Sequence, residues 1–171
     1  MRKIIILGVA GVGKSTLARK LSLHFEIHYF DLDDIFWKNK YSEKNSDNFC
    51  KKELKAILTK HNSWILDGSY SWMDIAIKDS EKVIWLNYPR RIPFFRVIKR
   101  NLFTKRRKQE SFRNLYGLLK YIYFYNTLRP GNKISYYEKH KNIAELAGDK
   151  LLEINSSKEL SKYLSSLGIK S

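Results

Sequence analysis

The chain has 171 residues, of which 43% are apolar and 14% aromatic, and it carries a net charge of +16. This size suits one globular domain or a domain with a small lid, and the apolar content excludes a disordered chain. The single cysteine excludes an internal disulfide and a cysteine-based zinc site, and no apolar run approaches the roughly 20 residues of a membrane span. We therefore expect a cytoplasmic protein without membrane contact, whose positive charge predicts anionic partners.

Short apolar runs alternate along the chain with segments in which apolar residues have helical spacing. The runs predict strands at residues 3–7, 27–30, 64–66, 82–86 and 151–154, of which the second is the weakest. The spacing predicts helices at residues 16–25, 47–61, 91–103 and 158–167, with Ser46 as the N-cap of the second helix. This alternation predicts a three-layer α/β fold with a mainly parallel sheet, formed by residues 1–171 as a single domain.

The first strand and the first helix are joined by the stretch GVAGVGKST, residues 8–16, which matches the pattern G-x-x-x-x-G-K-[ST]. Glycines let such a turn adopt positive φ, so that backbone N–H groups converge on one centre at a helix N-terminus and bind an anion. Lys14 can reach the β- and γ-phosphates of a nucleotide, and the Ser15 hydroxyl can bind Mg²⁺. We therefore predict that this phosphate loop binds ATP with Mg²⁺ through Gly8, Ala10, Gly11, Val12, Gly13, Lys14, Ser15 and Thr16.

The third predicted strand ends in the stretch WILDGSY, residues 64–70, which places Asp67 at its carboxyl end. A carboxylate at the end of a strand beside the phosphate loop can hold Mg²⁺, usually through water. The alternative is an Asp-Gly turn with no ligand, which is common after strands. We favour the metal role, because a triphosphate site requires such a carboxylate.

The second predicted strand is followed by the stretch HYFDLDDIFW, residues 28–37, which offers three aspartates. We predict that Asp33 orients or deprotonates the hydroxyl that attacks the γ-phosphate, with Asp31 as a weaker candidate. Alternatively, Asp31 or Asp33 begins a short helix as its N-cap. The aromatic pair Phe36 and Trp37 could form a wall of the acceptor pocket or belong to the core.

Residues 90–141 differ in charge from the rest of the chain. They include fifteen Lys or Arg residues and two acidic residues, and thus hold +13 of the net charge of +16. We expect this segment to be a basic helical lid inserted between the fourth and fifth strands. Three of its arginines are spaced by four and seven residues, as on one face of a helix, and we predict that they act in catalysis: Arg96, Arg100 and Arg107.

A lid arginine can stabilise the charge that develops on a transferring phosphoryl group, with a bidentate geometry that lysine lacks. The alternative is a basic helix face in contact with water. We expect at least one phosphate contact from the group Arg96, Arg100, Arg106 and Arg107. The opposite face of the same helix would then turn these residues toward the core: Ile92, Phe95, Ile98 and Leu102.

Aromatic residues are frequent between residues 112 and 137, and two interpretations are open for them. Aromatic rings interleaved with positive charge can stack on the bases of single-stranded nucleic acid. Helical spacing instead favours a core face made of Phe112, Leu115, Leu119, Ile122 and Tyr123. We favour the core face, and we expect the helix to end near Arg129, which precedes a proline.

The phosphate loop and the stretches DLDDIFW, WILDGSYS and VIWLNYPRRIPFFRVIKR occur in this order, and together they resemble a P-loop kinase of the adenylate kinase-like group. The most similar branch is the one labelled DNA topology modulation proteins. The residues that carry this resemblance are Leu32, Asp33, Ile35, Phe36, Trp37, Asp67, Gly68, Tyr70 and Ser71. The resemblance implies a P-loop NTPase fold with a five-stranded parallel sheet of order 2-3-1-4-5 and an arginine-bearing lid after strand four.

The chain departs from adenylate kinases directly after the third strand. Those enzymes have a proline and an arginine after Asp-Gly and an aromatic residue, whereas here Ser69, Tyr70 and Ser71 follow Gly68. The arginine that would bind a nucleoside monophosphate is thus missing at this position, which argues against AMP as the acceptor.

Two functional hypotheses follow from these features. The first is an ATP-dependent phosphotransferase that acts on a small acceptor such as a nucleoside or nucleotide. The second, motivated by the charge of residues 90–141, is an ATP-gated nucleic-acid-binding or DNA topology modulation protein without a small acceptor. An ATPase that uses water alone is less favoured, because no residue to position the water is evident.

Overall fold

A five-stranded parallel sheet forms the centre of the structure. The structure is a computed structural model, and it describes residues 2–39, 43–103, 112–128 and 134–170. In chain order the strands are β1 (Lys3–Gly8), β2 (Tyr29–Asp31), β3 (Trp37–Asn39), β4 (Glu43–Lys44), β5 (Trp64–Asp67), β6 (Lys82–Leu86) and β7 (Leu151–Ile154). Strands β3 and β4 pair antiparallel outside the central sheet, whose order is β2-β5-β1-β6-β7. Counted along the chain, the central strands therefore have the predicted order 2-3-1-4-5, which is confirmed.

Helices cover both faces of this sheet. They are α1 (Lys14–Phe25), α2 (Asp33–Phe36), α3 (Asp47–Lys60), α4 (Asp74–Asp79), α5 (Arg91–Phe103), α6 (Phe112–Tyr123), α7 (Tyr136–Ala147) and α8 (Ser157–Ser166), with a 3₁₀ turn at Gly148–Lys150. Helices α1, α5, α6 and α8 pack on one face, and α3, α4 and α7 pack on the other. The predicted three-layer α/β fold is therefore confirmed.

The central strand β1 shows why the sequence of a strand in this sheet is a continuous apolar run. Ile4 and Ile6 belong to the core on one face of the sheet, and Ile5 and Leu7 belong to the core on the other. All four side chains are fully buried, because successive side chains of a strand point to opposite faces and helices cover both.

Two predicted helices have the expected boundaries or caps. Helix α5 spans the predicted residues 91–103, and the Ser46 hydroxyl accepts a 3.3 Å hydrogen bond from Phe49 N at the start of α3. The short elements α4, β3 and β4 were not predicted, and neither was α7, whereas a short helix at the position of α2 was one of two alternatives. Helix α7 begins with a capping box in which the Ser135 and Glu138 side chains each bind the other residue's backbone N–H.

The predicted core faces of α5 and α6 are wrong in two places. Phe95 is 67% exposed, because α5 instead buries Pro93 and Val97, which are four residues apart and face the phosphate loop. Tyr123 is 57% exposed at the end of α6, whereas Ile122 is fully buried. The packing of each helix against its neighbours, rather than helical spacing alone, selects which face is buried.

Several predicted residues lie outside the described part of the chain. Arg106, Arg107 and the helix end at Arg129 fall in residues 104–111 and 129–133, and the side chains of Leu102 and Phe112 are likewise outside it. Within the residues that the structure describes, no helix has both the length and the apolar character required to cross a membrane.

Candidate phosphate and acceptor site

The phosphate loop ends in an uncapped helix N-terminus. Gly13 occupies the N-cap position of α1 with φ 114°, a left-handed conformation that favours glycine, and no side chain caps this end of the helix. The first N–H groups of a helix have no partner within the helix, so those of α1 are available to an anion. The loop therefore has the geometry of an anion-binding site.

The loop packs tightly against α5. A Cβ atom placed on Gly11, which has φ 80°, would lie 2.5 Å from Cγ2 of Val97 and 3.0 Å from the carbonyl oxygen of Pro93. Only glycine fits this position without displacing backbone or a buried side chain. The first half of α5 therefore fixes the position of the phosphate loop.

Of the predicted arginines, Arg96 contacts the phosphate loop directly. Its Nη1 donates a 2.6 Å hydrogen bond to the carbonyl oxygen of Val12, and its Nη2 donates a 3.1 Å hydrogen bond to Oγ of Ser157 at the start of α8. The guanidinium also lies over the ring of Tyr88, 5.4 Å from its centroid. Arg100 is exposed one helical turn further along α5, and Arg107 lies outside the described residues.

The structure brings together Lys14, Ser15 and Asp67. The Ser15 hydroxyl donates a 2.6 Å hydrogen bond to Oδ2 of Asp67, and Lys14 Nζ lies 3.8 Å from Oδ1. Asp67 is 2% exposed, and its Oδ1 accepts no hydrogen bond from the described residues. Tyr29, which the sequence analysis missed, donates a 3.3 Å hydrogen bond to Oδ2, and burial followed by the charge of Asp67 raises the pKa of its hydroxyl.

This group of oxygen atoms suits Mg²⁺. A hydroxyl and a carboxylate oxygen are hard ligands, and the buried Oδ1 of Asp67 is a polar atom that lacks a hydrogen-bond donor among the described residues. No cluster of three or more His, Cys, Asp or Glu suited to a metal occurs in the described part of the chain. Mg²⁺ is usually bound by one or two carboxylates together with phosphate oxygens and water, so Ser15 and Asp67 fit it.

Asp31 and Asp33 lie at the same edge of the sheet as Asp67. Asp31 is the register partner of Asp67 on the neighbouring strand, and its Oδ1 accepts a 3.0 Å hydrogen bond from the backbone N–H of Asp33. Burial raises the pKa of Asp31 to about 6, and the charges of Asp33, Asp67 and Asp34 add to this effect, against the opposing hydrogen bond from Asp33. Leu32 occupies the N-cap position of α2 and no side chain caps this helix, so the alternative of Asp31 or Asp33 as the N-cap is wrong, although the Asp31 side chain accepts a hydrogen bond from the first residue of the helix.

Tyr70 connects Asp33 to an aromatic wall. Its hydroxyl donates a short hydrogen bond to Oδ1 of Asp33, and burial, followed by the charge of Asp33, raises the pKa of that hydroxyl. The Tyr70 ring stacks on Trp72 at 4.9 Å and lies 4.6 Å from Phe36. Phe36 in turn contacts Trp37 edge-on, so the predicted aromatic pair is part of this wall.

Buried or partly buried polar groups that the sequence did not indicate lie in α6, directly after it and in α7; they are Tyr121, Tyr125 and His140. The Tyr125 hydroxyl and His140 Nδ1 are hydrogen-bonded, and His140 is 4% exposed. Burial, followed by the charge of Lys14, lowers the pKa of His140 to about 3, so this imidazole is neutral at physiological pH. The pKa of the Tyr121 hydroxyl is raised by burial and then by the charges of Tyr136 and Asp33.

The aromatic residues of this region mainly pack with one another. Tyr121, Tyr125, Tyr136 and Tyr137 belong to or border the core, whereas Tyr116 is 67% exposed. Most of these rings are therefore unavailable for stacking on the bases of a nucleic acid, in agreement with the favoured core interpretation.

The chain resembles several known proteins. No protein-family model matches it. It is 34% identical over 92 residues to the uncharacterized protein YqaC of Bacillus subtilis (strain 168), a match that covers 53% of this chain and 52% of that relative, or about half of its length.

Solved structures with similar folds include small-molecule kinases. Shikimate kinase from Bacteroides thetaiotaomicron is 12% identical with a TM-score of 0.56, and the match covers 97% of this chain and 98% of that chain. Shikimate kinase from Acinetobacter baumannii in complex with shikimate is 17% identical with a TM-score of 0.54, with 97% and 94% covered. A gluconokinase from Sinorhizobium meliloti 1021 is 12% identical with a TM-score of 0.55, with 98% and 91% covered. At these identities the similarity establishes the fold, and the chain has the fold of P-loop kinases.

Proposed function

We propose that the protein transfers the γ-phosphoryl group of ATP to a hydroxyl group of a small-molecule acceptor. The observation that carries this proposal is the arrangement of three features at one edge of the sheet: the uncapped phosphate loop, the Ser15–Asp67 pair and the Asp33–Tyr70 pair. The similarity in fold to shikimate kinase and gluconokinase supports a small acceptor.

In this proposal the phosphate loop binds the polyphosphate chain of ATP. The backbone N–H groups of residues 8–16 surround the phosphates, and the Lys14 ammonium group neutralises part of their charge. Ser15 and Asp67 would hold Mg²⁺, which when bound neutralises charge on the β- and γ-phosphate oxygens.

In this proposal Asp33 receives the acceptor hydroxyl. Its Oδ1 accepts the hydrogen bond from Tyr70, and no described residue donates a hydrogen bond to its Oδ2. The acceptor oxygen attacks the γ-phosphorus and forms the new P–O bond, while the bond from that phosphorus to the oxygen bridging to the β-phosphorus breaks and ADP leaves. The hydroxyl proton passes to the Asp33 carboxylate, which Tyr70 holds in position.

Arg96 is the described arginine best placed to act on phosphate. Its hydrogen bonds to Val12 and Ser157 use two of the five N–H groups of the guanidinium, and in this proposal one of the remaining three donates to a phosphate oxygen. We propose that residues 90–141 form a lid in which Arg96, together with Arg100 and Arg107, surrounds the transferring group and excludes water. Residue 141 lies within α7, a helix that packs on β6 and β7. The proposed lid would therefore end inside this helix.

The test is transfer of labelled phosphate from γ-labelled ATP to a panel of nucleosides, sugars, polyols and hydroxy acids. We expect one chemical class to be labelled in the presence of Mg²⁺, and we expect Lys14→Met to abolish the transfer without unfolding the protein. Lys51→Met, an exposed change on α3, is the matched control. Transfer by Lys14→Met at the wild-type rate would refute the assignment of the phosphate loop.

A second candidate function is ATP-gated binding of nucleic acid, as in a DNA topology modulation protein. The observation in its favour is that eight Lys or Arg side chains of residues 90–141 are exposed among those described: Arg90, Arg91, Arg96, Lys99, Arg100, Lys120, Lys139 and Lys141. Such binding would weaken with salt, with log K falling by about 0.9 per phosphate neutralised on duplex DNA per unit of log salt. A DNA mobility-shift assay with and without ATP tests it, and absence of binding in moderate salt refutes it.

A further inference from the structure

We propose that the acceptor is an uncharged or cationic hydroxyl compound, without a phosphate or carboxylate group, and that Asp31, Asp33 and Tyr70 bind its polar groups. This inference rests on the proposed function and specifies the substrate class of the same site.

The first argument is the charge of the acceptor side of the site. The Asp31 carboxylate accepts a hydrogen bond from the backbone N–H of Asp33, and Asp31 lies beside Asp67 on the neighbouring strand. Among the described residues, neither Asp31 nor Asp33 forms an ion pair with a lysine or arginine. An anionic acceptor would bring a further negative charge next to two carboxylates in a partly buried site, where charges are poorly screened.

The second argument is where the cations of the site lie. The Lys14 ammonium is close to Asp67, and the Arg96 guanidinium binds Val12 and Ser157, so both belong to the phosphate loop. The turn after β5 consists of Ser69, Tyr70 and Ser71 and contributes no cation. Lys14 and Arg96 thus serve the nucleotide side of the site, and neither of them pairs with Asp31 or Asp33.

The third argument is the aromatic wall, which is suited to a neutral or cationic molecule. The Tyr70 ring is held between Trp72 and Phe36, so its hydroxyl has a fixed position beside Asp33. Tyr70 stacks on the buried Trp72, so Phe36 and Trp37 are the rings of this wall that can offer a face. An aromatic face packs on the carbon skeleton of a sugar or polyol and attracts a cation electrostatically. The Lys44 ammonium lies 5.3 Å from the centroid of Phe36. Lys44 is therefore the described cation that would bind an anionic acceptor if the site took one, and its removal tests that alternative.

The experiment compares acceptors in pairs whose members differ by one charged group. Two pairs have an anionic member, glucitol with gluconate and a 2′-deoxynucleoside with its 3′-monophosphate, which keeps the 5′-hydroxyl free. The third pair is glucosamine with glucose. We expect the uncharged member to exceed its anionic counterpart by about 100-fold in kcat/KM, because a site built for one charge state leaves the other without a counter-charge. We expect glucosamine to be at least as good an acceptor as glucose.

Substitutions of Asp31 and Lys44 test which residues cause the preference for an uncharged acceptor. Asp31→Asn should reduce the discrimination against the anionic member of each pair by about tenfold, because it removes one of the repelling charges. Asp149→Asn, which makes the same chemical change at an exposed position before β7, should leave the ratio unchanged. A preference for anionic acceptors in wild type that Lys44→Met abolishes would overturn the proposal and assign anion binding to Lys44.

Failure of this inference is distinguishable from failure of the proposed function. Efficient transfer to the anionic member of a pair overturns the inference and leaves the phosphotransferase function in place. Absence of any transfer contradicts the proposed function, and the thermal stabilisation of the protein by each acceptor in the presence of ADP and Mg²⁺ then decides the acceptor class. Stabilisation by the anionic members, or by none of the panel, overturns the inference in that case as well.

Discussion

The Ser15 hydroxyl donates a 2.6 Å hydrogen bond to Oδ2 of Asp67, which joins the first turn of α1 to the end of β5. Lys14 Nζ lies 3.8 Å from the other carboxylate oxygen, and Asp67 is almost fully buried. The two residues that we propose for Mg²⁺ therefore share a hydrogen bond, and Lys14, which we propose binds phosphate, lies beside the same Asp67 carboxylate. A change at Asp67 should consequently affect metal and phosphate binding together.

We predict that Asp67→Asn lowers kcat by about 100-fold and raises the Mg²⁺ concentration for half-maximal activity, because the amide lacks the negative charge that attracts the metal. Initial rates measured over a series of Mg²⁺ concentrations check this prediction. The control is Asp149→Asn, which neutralises an exposed carboxylate near the opposite edge of the sheet. An unchanged Mg²⁺ requirement in Asp67→Asn would exclude this carboxylate from the metal site.

A second prediction concerns the guanidinium of Arg96. Its two hydrogen bonds connect Val12 of the phosphate loop to Ser157 of α8, a geometry that the single ammonium group of lysine cannot reproduce. We expect Arg96→Lys to lower kcat/KM for ATP by about tenfold or more, since a charge-assisted hydrogen bond is typically worth 1.5–3 kcal/mol. Arg91→Lys, on the exposed first turn of the same helix, should retain wild-type kinetics. Equal kinetics for the two variants would refute the role of Arg96.

A third prediction concerns the contact between Gly11 and Val97. A methyl group at Gly11 would lie 2.5 Å from Val97 Cγ2, and the positive φ of Gly11 adds backbone strain. We expect Gly11→Ala to lower the free energy of unfolding by about 2–4 kcal/mol. In the double variant Gly11→Ala/Val97→Ala the clash is relieved, so the two changes should be less than additive by about 1 kcal/mol. Urea unfolding of the four proteins measures this coupling.

Gly117 provides the matched control for that experiment. It lies within α6, and a Cβ atom placed on it would meet nothing within 4 Å. Gly117→Ala should therefore raise the free energy of unfolding by about 0.5–1 kcal/mol, because alanine is favoured over glycine in a helix interior. Destabilisation of similar size by both substitutions would mean that the packing of Gly11 on α5 is not what makes its position sensitive.

Much of the fold could be predicted from the sequence because its signals are local. The buried run of β1, the glycine-rich turn and the helical spacing of α1 are adjacent, so their order alone places Lys14 and Ser15 at the end of the central strand. Asp67 could be predicted in the same way, since a residue at the carboxyl end of a parallel strand lies at the edge where the phosphate loop is found. The start of α7 could also have been predicted from the sequence, because Ser135 and Glu138 have the spacing of a capping box.

The rest depends on contacts between distant parts of the chain. Phe95 has the spacing of a core residue, but the packing of α5 on the phosphate loop buries Val97 instead. The pairing of Tyr125 with His140 joins a residue just after α6 to a residue of α7, and no local pattern indicates it. Helix α2 and strands β3 and β4 have two to four residues, too few to show a period.

The last prediction concerns the effect of pH on stability, through two groups whose pKa values are shifted by burial in opposite senses. The pKa of Asp31 is raised to about 6, so between pH 4 and 6 the folded state binds more protons at this site than the unfolded state. Stability from Asp31 is therefore present at low pH and is lost as the pH rises through about 6. The pKa of His140 is lowered to about 3, so from pH 6.5 downward the unfolded state binds more protons, and stability is lost as the pH falls.

These two contributions oppose each other between pH 4 and 6, so each is visible only when the other is removed. In Asp31→Asn, the free energy of unfolding should rise with pH in this range by up to about 1.4 kcal/mol per pH unit more than in wild type. In His140→Asn, whose amide oxygen can accept the hydrogen bond from Tyr125, the slope should change by a similar amount in the opposite sense. Urea unfolding without Mg²⁺ at several pH values measures both slopes, and Asp149→Asn serves as the control. Parallel pH profiles for wild type and Asp31→Asn would contradict the shift at Asp31, because a carboxyl group that titrates at the same pH in both states contributes no slope.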